Sequence, residues 1–320
     1  MTSDVAYNIG GVLELSLFSS EEKRLLDSSL FLPNNFGGLP EESSGLDTSK
    51  VVVLPIPYDQ TVSYRAGTRE GPRAIINASA QIELYDQELN SEPYRVGIHT
   101  LKELKPDMSG PEGMFKRVYD TVSLFNRKEK LLVMLGGEHS LSVGAVKAFS
   151  EEYKDLSVLQ IDAHADMRDT YCDTKYNHAT VMRRVLDYAS TVQVGIRSLS
   201  KEEMEFIETR RLSVFFEKDV VKGEGWMEEM ISHLSQHVYI TLDLDVLNPG
   251  IMPSVGTPEP GGLSWHELLD IIRKVAENRD IVGFDVMELC PIPGLIAPDF
   301  LAAKLVYKMI GYSLFLQGKD

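Results

Sequence analysis

Carboxylates and imidazoles follow three short apolar runs of this chain, at residues 131–135, 157–161 and 238–242. Two histidines and four aspartates lie at the ends of these runs: His139, Asp162, His164, Asp166, Asp243 and Asp245. Side chains at alternate positions of an extended segment face the same side, so each spaced set can enter one cavity. Four aspartates held together without cations would raise one another's pKa strongly, and two divalent cations would balance their charge. These residue types and spacings predict a dinuclear metal centre.

The composition of the ligand set favours manganese. Cysteine is not among the candidates, and oxygen ligands outnumber nitrogen ligands. Carboxylate-rich sites favour Mg²⁺ or Mn²⁺ over Zn²⁺, and the two imidazoles favour Mn²⁺ over Mg²⁺. We predict two Mn²⁺ per chain, with nickel, cobalt and iron also compatible. Two such ions roughly 3.5–4 Å apart lower the pKa of a shared water to about 7, which provides hydroxide for hydrolysis at neutral pH.

The elements that position these side chains are predicted to be the strands of a parallel sheet. From Lys50 onward, short β-rich runs alternate with amphipathic segments. This alternation indicates βαβ units and a mostly parallel sheet covered by helices on both faces. In such sheets, ligands bind outside the carboxyl ends of the strands. A fourth apolar run, at 281–286, ends next to Glu288 and adds this carboxylate to the same edge.

The patterns give approximate limits for the elements and the domains. Strands are predicted at 51–57, 96–100, 131–135, 157–161, 192–196, 212–216, 238–242 and 281–286, and helices at 71–89, 111–127, 140–152, 178–189, 200–210, 224–236, 264–277 and 299–316. No linker divides residues 50–320, so a single catalytic domain is predicted at 49–320. The mixed residues before it, which end in a Gly-, Pro- and Ser-rich segment, are predicted to form an N-terminal arm or extension at 1–48 that covers the first strand.

Charge and cysteine content restrict the function. The formal net charge of −16 argues against binding to nucleic acids and anionic membranes and suits a cationic substrate, although a surface charged for solubility explains it at least as well. Cys172 and Cys290 are too few for a disulfide framework. The sequence shows no uninterrupted apolar stretch of about 20 residues, and its N-terminus lacks the basic start and apolar centre of a secretory signal. We expect a cytoplasmic protein with free thiols.

Six motifs extend over nearly the whole chain. They are PYDQTVSYRAGTREGPRAI (57–75), GGEHS (136–140), IDAHADMRD (161–169), TLDLDVLNPG (241–250), GTPEPGGL (256–263) and GFDVMEL (283–289). In type and order, they resemble the motifs of the ureohydrolase family, the arginases and agmatinases, and agmatinases most of all. The resemblance implies an α/β fold, a three-layer αβα sandwich around an eight-stranded, mostly parallel sheet. It also implies assembly into homo-trimers or homo-hexamers.

The same resemblance implies how the ligands are divided between two ions. One Mn²⁺ is expected on His139, Asp162, Asp166 and Asp243, and the other on Asp162, His164, Asp243 and Asp245. Asp162 and Asp243 would bridge the two ions. Glu138 stands where many members have aspartate, and it does not occupy a ligand position.

Three residues are predicted to carry the reaction. Glu288 can accept two parallel N–H···O bonds from a guanidinium, and the resemblance assigns this role to it. Asp166 would take a proton from the attacking water. Asp166 would then pass this proton to the leaving amine. His178 matches the proton-shuttling histidine of the family near the pocket mouth, and it is also expected to bind the substrate. The products would be urea and an amine.

The interval at 167–177 bears on the rest of the substrate. It contains Asp169, Tyr171 and Asp173, which suit a second amine better than a carboxylate. This favours agmatine, with Asp169 as a substrate-binding residue, and thereby polyamine synthesis. N1-aminopropylagmatine is the nearest alternative. Guanidinobutyrate, whose carboxylate Arg168 could bind, and arginine follow it.

Other classes of enzyme fit less well. A dinuclear phosphohydrolase would use similar metals, but it needs a basic cradle for the phosphate that this acidic chain does not obviously supply. Deacetylases of the same superfold use one zinc, whereas His139 and Asp166 argue for two metals. An inactive metal-binding subunit would have lost a ligand or Glu288, and all are present.

Overall fold

The computed structural model describes Ser19 and residues 32–125, 127–223 and 225–316. The chain divides into two units, Met1–Pro33 and Asn34–Asp320, and the second contains the sheet and its helices. Most of the predicted arm at 1–48 lies outside the described residues. Phe36, from its last part, is fully buried in the second unit, and its N–H donates to Thr100 Oγ1 at 2.9 Å. The division into an arm and a catalytic domain stays a prediction.

One eight-stranded sheet forms the centre of the second unit. Its strands are β1 Val51–Ile56, β2 Ile98–Thr100, β3 Leu131–Gly136, β4 Leu156–Ile161, β5 Ser190–Ile196, β6 Ser213–Phe216, β7 His237–Asp243 and β8 Asp280–Met287. The strand order is β2-β1-β3-β8-β7-β4-β5-β6, and neighbouring strands pair in parallel throughout. The four strands whose ends carry the predicted site residues, β3, β8, β7 and β4, are therefore consecutive. They lie at the middle of the sheet, where the chain reverses its direction of travel and where ligands bind in such folds.

Helices cover both faces of the sheet. They are α1 Gly71–Ser79, α2 Pro111–Val122, α3 Ser142–Glu152, α4 Val181–Val185, α5 Lys201–Arg210, α6 Glu217–Lys222, α7 Trp226–His233, α8 Trp265–Asn278 and α9 Ala297–Phe315. Residues of β1 alternate between two apolar cores, with Val51 and Val53 in one and Val52 and Leu54 in the other. The first core includes residues of α1, α7, α8 and α9, and the second includes residues of α2, α3 and α4. The predicted three-layer αβα sandwich is confirmed.

The helix predicted over 71–89 is wrong in its second half, because α1 ends at Ser79. Beyond it, the side chain of Asp86 accepts the backbone N–H of Glu88 at 3.0 Å and pairs with Lys308 Nζ at 3.0 Å. An aspartate that bonds to the backbone nearby competes with helical hydrogen bonds. The buried lysine on α9 fixes that local turn, and sequence periodicity does not reveal such a partner.

A close contact between two strand extensions fixes the loop after β3. The N–H of Gly137 donates to Ile56 O at 3.0 Å, and the N–H of Glu138 donates to Tyr58 O at 2.8 Å. A Cβ atom on Gly137 would lie only 1.9 Å from Tyr58 O, a backbone atom that cannot rotate away. Glycine is therefore required here for space.

Gly137→Ala is expected to destabilise the protein by about 1–3 kcal/mol, the usual cost of overpacking, because the two backbones must separate. Thermal unfolding should show the change as a melting temperature lower by several degrees. Gly45→Ala is the control, since its nearest contact is the exposed Thr48 Oγ1 at 3.1 Å, which can move. Equal melting temperatures for the two variants would show that the loop adapts.

Within the described part of the chain, none of the helices combines the length and the apolar character needed to cross a bilayer. Both cysteines are free, with Cys172 exposed and Cys290 buried.

Candidate active site

The carboxyl ends of β3, β4 and β7 bring one imidazole and three carboxylates into contact. His139 begins a short turn after β3, and its Nδ1 lies 3.1 Å from Asp162 Oδ2, beyond the end of β4. The same nitrogen is 3.3 Å from Asp166 Oδ2 and 3.4 Å from Asp243 Oδ2. All four side chains are at least nine-tenths buried. These are the four residues predicted to hold the first ion.

A second cluster shares Asp162 with the first. Nδ1 of His164 lies 2.8 Å from Asp245 Oδ2 and 3.7 Å from Asp162 Oδ1. Asp162 therefore directs one carboxylate oxygen to each histidine, as a bridging ligand must. In each cluster, one ligand atom per residue lies within 4.8 Å of the others: His139, Asp162 and Asp243 in one, and Asp162, His164 and Asp245 in the other.

The orientation of His139 leaves Nδ1 available as a ligand. Its Nε2 lies 2.8 Å from Thr241 Oγ1, whose hydroxyl donates to Asp285 Oδ1 at 2.7 Å. Because the Thr241 hydrogen is directed to the carboxylate, the threonine oxygen accepts, and Nε2 must carry the imidazole proton. Nδ1 then presents a lone pair, and this buried atom has no hydrogen-bond partner. An imidazole held in this way by a polar neighbour is typical of metal ligands.

The electrostatics of the carboxylates also fit cations. Burial raises the pKa of Asp243 well above its usual range, and the charges of Asp245 and Asp162 raise it further. Burial, followed by the charge of Asp162, raises the pKa of Asp166 to about 7. A divalent cation beside these groups would offset both effects, because it stabilises the ionised form. The residues present therefore fit the predicted dinuclear centre.

Two site residues adopt a left-handed backbone conformation, which is rare for residues other than glycine. Asp166 has a φ of 52° and Glu288 a φ of 67°. The carbonyl of Asp166 accepts the N–H of Met182 at 3.0 Å, and the N–H of Glu288 donates to Gly137 O at 2.9 Å. Such strain persists only where the surrounding hydrogen bonds enforce it, and it concentrates at functional sites.

Glu288 lies at the end of β8 beside the first cluster. Its Oε1 accepts the backbone N–H of His139 at 2.7 Å, and the residue lines the same pocket as the predicted metal ligands. Burial raises the pKa of Glu288 to about 8, which a cationic partner would counteract. One carboxylate oxygen is thus fixed by the backbone, and a cation in the pocket would restore the ionised form.

The pocket above the centre is bounded by residues from several loops. In addition to the site residues, it is lined by Val62, Ser63, Tyr64, Arg65, Arg168, Tyr171, His178, Ala179, Gly256 and Thr257. His178 lies edge-on to the ring of Tyr171, with ring centroids 5.8 Å apart. Burial lowers the pKa of His178 to about 4, so its ring is neutral at neutral pH. A neutral imidazole carries one donor and one acceptor nitrogen, which suits it to relay a proton.

A model of the arginase family matches residues 49–311, a range that includes every predicted site residue. The chain belongs to the arginase family. The resemblance of the six motifs to ureohydrolases is thereby confirmed.

The relatives of this arginase-family chain cover nearly its whole length. A protein from Synechocystis sp. named N(1)-aminopropylagmatine ureohydrolase is 39% identical, over 88% of this chain and 96% of that protein. A protein of the same name from Thermus thermophilus is 36% identical, over 85% and 92%. The crystal structure of agmatine ureohydrolase of Thermoplasma volcanium matches with a TM-score of 0.80 and 34% identity, over 89% and 96%. The chain is thus a ureohydrolase, a hydrolase of guanidino compounds. Trimeric or hexameric assembly and a cytoplasmic location stay predictions.

The structure does not bring Asp169 of this arginase-family chain to the pocket. Its Oδ1 lies 2.7 Å from Arg184 Nη2, and its side chain is 60% exposed. Neither Asp169 nor Asp173 is among the lining residues. The basis for choosing agmatine from the acidic loop residues is therefore weaker than the sequence suggested.

Glu259 is a site residue whose role was not assigned from the sequence. Its Oε1 lies 3.6 Å from His164 Nε2 and accepts the hydroxyl of Ser198 at 3.0 Å. A carboxylate there favours a proton on Nε2, which leaves Nδ1 for a metal. The GTPEPGGL motif contained this glutamate, but only the fold shows that it faces His164.

Proposed function

We propose that this ureohydrolase acts on N1-aminopropylagmatine and releases urea and the corresponding triamine. The observation that carries the proposal is its match, over most of both chains, to two proteins that bear this name. Agmatine, favoured by the sequence, becomes the second candidate. It is supported by the solved agmatine ureohydrolase, which is less similar in sequence than either of those proteins.

We further propose that the chain holds two Mn²⁺ ions. The unpartnered Nδ1 of His139 and the shared carboxylate of Asp162 support two adjacent sites. The first site would use His139, Asp162, Asp166 and Asp243, and the second Asp162, His164, Asp243 and Asp245. When bound, the ions would supply a water molecule that is ionised near neutral pH.

Glu288 would orient the guanidinium for attack. Because its Oε1 already accepts the His139 N–H, the carboxylate is fixed before the substrate arrives. Charge-assisted bonds from two guanidinium N–H groups would then hold the central carbon above the metal ligands. A group held rigidly in this way lowers the entropic part of the barrier.

Asp166 and His178 would transfer the proton. As the water oxygen bonds to the guanidinium carbon, Asp166 would accept the water proton. His178 lines the same pocket and would relay this proton to the departing nitrogen as its bond to carbon breaks. The C–N electron pair leaves with the nitrogen, so the neutral amine departs and takes its second proton from solvent, and urea remains. A relay of this kind contributes about 10²–10⁴-fold to a rate.

Aromatic side chains at the pocket mouth support a long polyamine tail. Tyr64 lines the pocket, yet 82% of the residue is exposed, and Tyr171 lines the same pocket. The faces of aromatic rings attract ammonium groups. The guanidinium of Arg168 lies over the ring of Tyr171 at 5.2 Å and 3.8 Å from Glu203, so its charge is partly compensated.

Urea release from a panel of guanidino compounds tests the proposal. Metal-stripped protein would be reloaded with manganese, nickel, cobalt or zinc and supplied with aminopropylagmatine, agmatine, guanidinobutyrate and arginine. We expect kcat/KM for aminopropylagmatine to exceed that for agmatine by at least about tenfold, or 1.4 kcal/mol, because the longer tail adds contacts at the mouth. We expect the manganese form to be the most active.

Each alternative has a distinct outcome in this panel. Preference for agmatine would move the assignment to the second candidate without changing the chemistry. Preference for guanidinobutyrate would show that Arg168 binds a carboxylate tail. Full activity after exhaustive chelation would refute the metal mechanism.

A further inference from the structure

One wall of the pocket is a segment without regular secondary structure. Residues 62–65 line the pocket, but they lie between β1 and the turn that precedes α1, so no strand pairing fixes them. Side-chain hydrogen bonds to the preceding residue help to hold this segment. Thr61, immediately before the lining residues, makes the contacts that matter here.

A buried carboxylate that belongs to neither candidate ligand cluster holds Thr61. Glu138 is fully buried, and its Oε2 accepts the backbone N–H of Thr61 at 2.6 Å. Its Oε1 accepts the hydroxyl of Thr61, also at 2.6 Å, and the hydroxyl of Ser140 at 2.5 Å. Both oxygens are used, and two of these bonds go to the same threonine. Hydrogen bonds to a buried carboxylate are stronger than neutral ones.

Thr61 in turn contacts His178. The backbone N–H of His178 donates to Thr61 Oγ1 at 3.2 Å, and its Nδ1 lies 3.4 Å from the same oxygen. Because the Thr61 hydroxyl donates its single hydrogen to Glu138, its oxygen can only accept from the histidine. This favours a proton on Nδ1 and a lone pair on Nε2, which lies 3.4 Å from Ser63 Oγ.

The same order of carboxylate, threonine and histidine occurs at His139. There, Asp285 receives the Thr241 hydroxyl, and the threonine oxygen faces an imidazole nitrogen. In both cases, a carboxylate fixes a threonine hydroxyl, and the hydroxyl fixes a histidine. The first relay holds a proposed metal ligand, and the second holds His178 in the lining of the pocket.

We propose that Glu138 is a positioning residue that acts through Thr61 to set the orientation and the protonated nitrogen of His178. With Nδ1 protonated and held by Thr61, the lone pair of Nε2 is free to accept the proton and to pass it on to the departing nitrogen. The same bonds hold the start of the pocket wall. The inference rests on the proposed role of His178 in the reaction.

Thr61→Val tests the relay, because valine keeps the shape of threonine and removes only the hydroxyl. We expect kcat to fall about tenfold or more and KM to change less. The variant should contain as much metal as the unaltered protein. Thr61→Ser is the matched control, since it keeps the hydroxyl and should restore most of kcat. Glu138→Gln should reproduce the loss, because an amide cannot accept at both oxygen positions.

Combining Thr61→Val with a second substitution, His178→Asn, separates this role from a general effect on folding. His178→Asn should itself lower kcat about 10²-fold, the lower range for a lost proton relay. In that background, Thr61→Val should lower kcat by less than about twofold more, since its effect passes through the missing imidazole. The proposal would be overturned if Thr61→Val lowered kcat about tenfold in the His178→Asn background as well. It would also be overturned if Thr61→Ser lowered kcat as much as Thr61→Val. Unaltered turnover in His178→Asn alone would instead refute the proposed role of His178.

Discussion

Asp162→Asn is expected to abolish hydrolysis and metal loading together. Its two carboxylate oxygens face His139 and His164 separately, so a single amide weakens both ligand clusters. A metal centre of the proposed kind would contribute several kcal/mol to the reaction, and each 1.4 kcal/mol corresponds to a tenfold change in rate. We therefore expect urea release to fall at least about a thousandfold. Asp243→Asn, at the other predicted bridge, should behave in the same way.

Elemental analysis of the purified variant, alongside urea release, checks this prediction. Asp155→Asn is a suitable control, because Asp155 precedes the opposite end of β4 and pairs with His237 at 2.7 Å away from the site. That variant should keep its metals and its rate. Two ions per chain in Asp162→Asn, with normal turnover, would show that the carboxylate does not bridge.

Glu288→Gln is expected to retain the metals but to lose substrate binding. Glutamine has the shape of glutamate, and its side-chain oxygen can still accept the His139 N–H. The charge that attracts the guanidinium is lost, and one acceptor position becomes a donor. A charge-assisted bond contributes about 1.5–3 kcal/mol, so kcat/KM should fall about 10–150-fold or more at this buried site.

Steady-state kinetics and metal analysis of the Glu288→Gln variant measure the two parts of this prediction. Normal metal content with a lower kcat/KM would agree with it. Near-normal kinetics would mean that another group holds the guanidinium. Loss of metal would mean that Glu288 supports the centre through His139 and not only the substrate.

The sheet and the ligand clusters could be predicted from the sequence because both depend on local patterns. Buried parallel strands appear as apolar runs, and the carboxyl ends of such strands meet at one edge. Asp162 and His164 follow the end of β4 directly, so the position of that strand brings them to the site. The family resemblance adds the division of ligands between the two ions, which spacing does not determine.

The contacts that sequence reasoning missed join residues far apart in the chain. Glu138 and Thr61 are 77 positions apart, and His139 and Thr241 are 102 apart. Neither the two-residue repeat of a strand nor the 3.6-residue repeat of a helix relates residues so far apart in the chain. The position of Asp169 also depends on a partner that the sequence does not reveal. This residue follows a ligand motif closely, but Arg184 draws its side chain away from the pocket.

At Asp166 and Glu288, the left-handed backbone conformation lowers the stability of the protein, whereas the side chains have proposed roles in the reaction. Glycine adopts that conformation readily, whereas other residues lose roughly 1–2 kcal/mol there. A library of variants selected for heat resistance alone would therefore accumulate glycine at 166 and 288 and discard the proposed proton acceptor and guanidinium ligand. Engineering a more durable enzyme from this chain requires a screen for turnover at every round, with these two positions held constant.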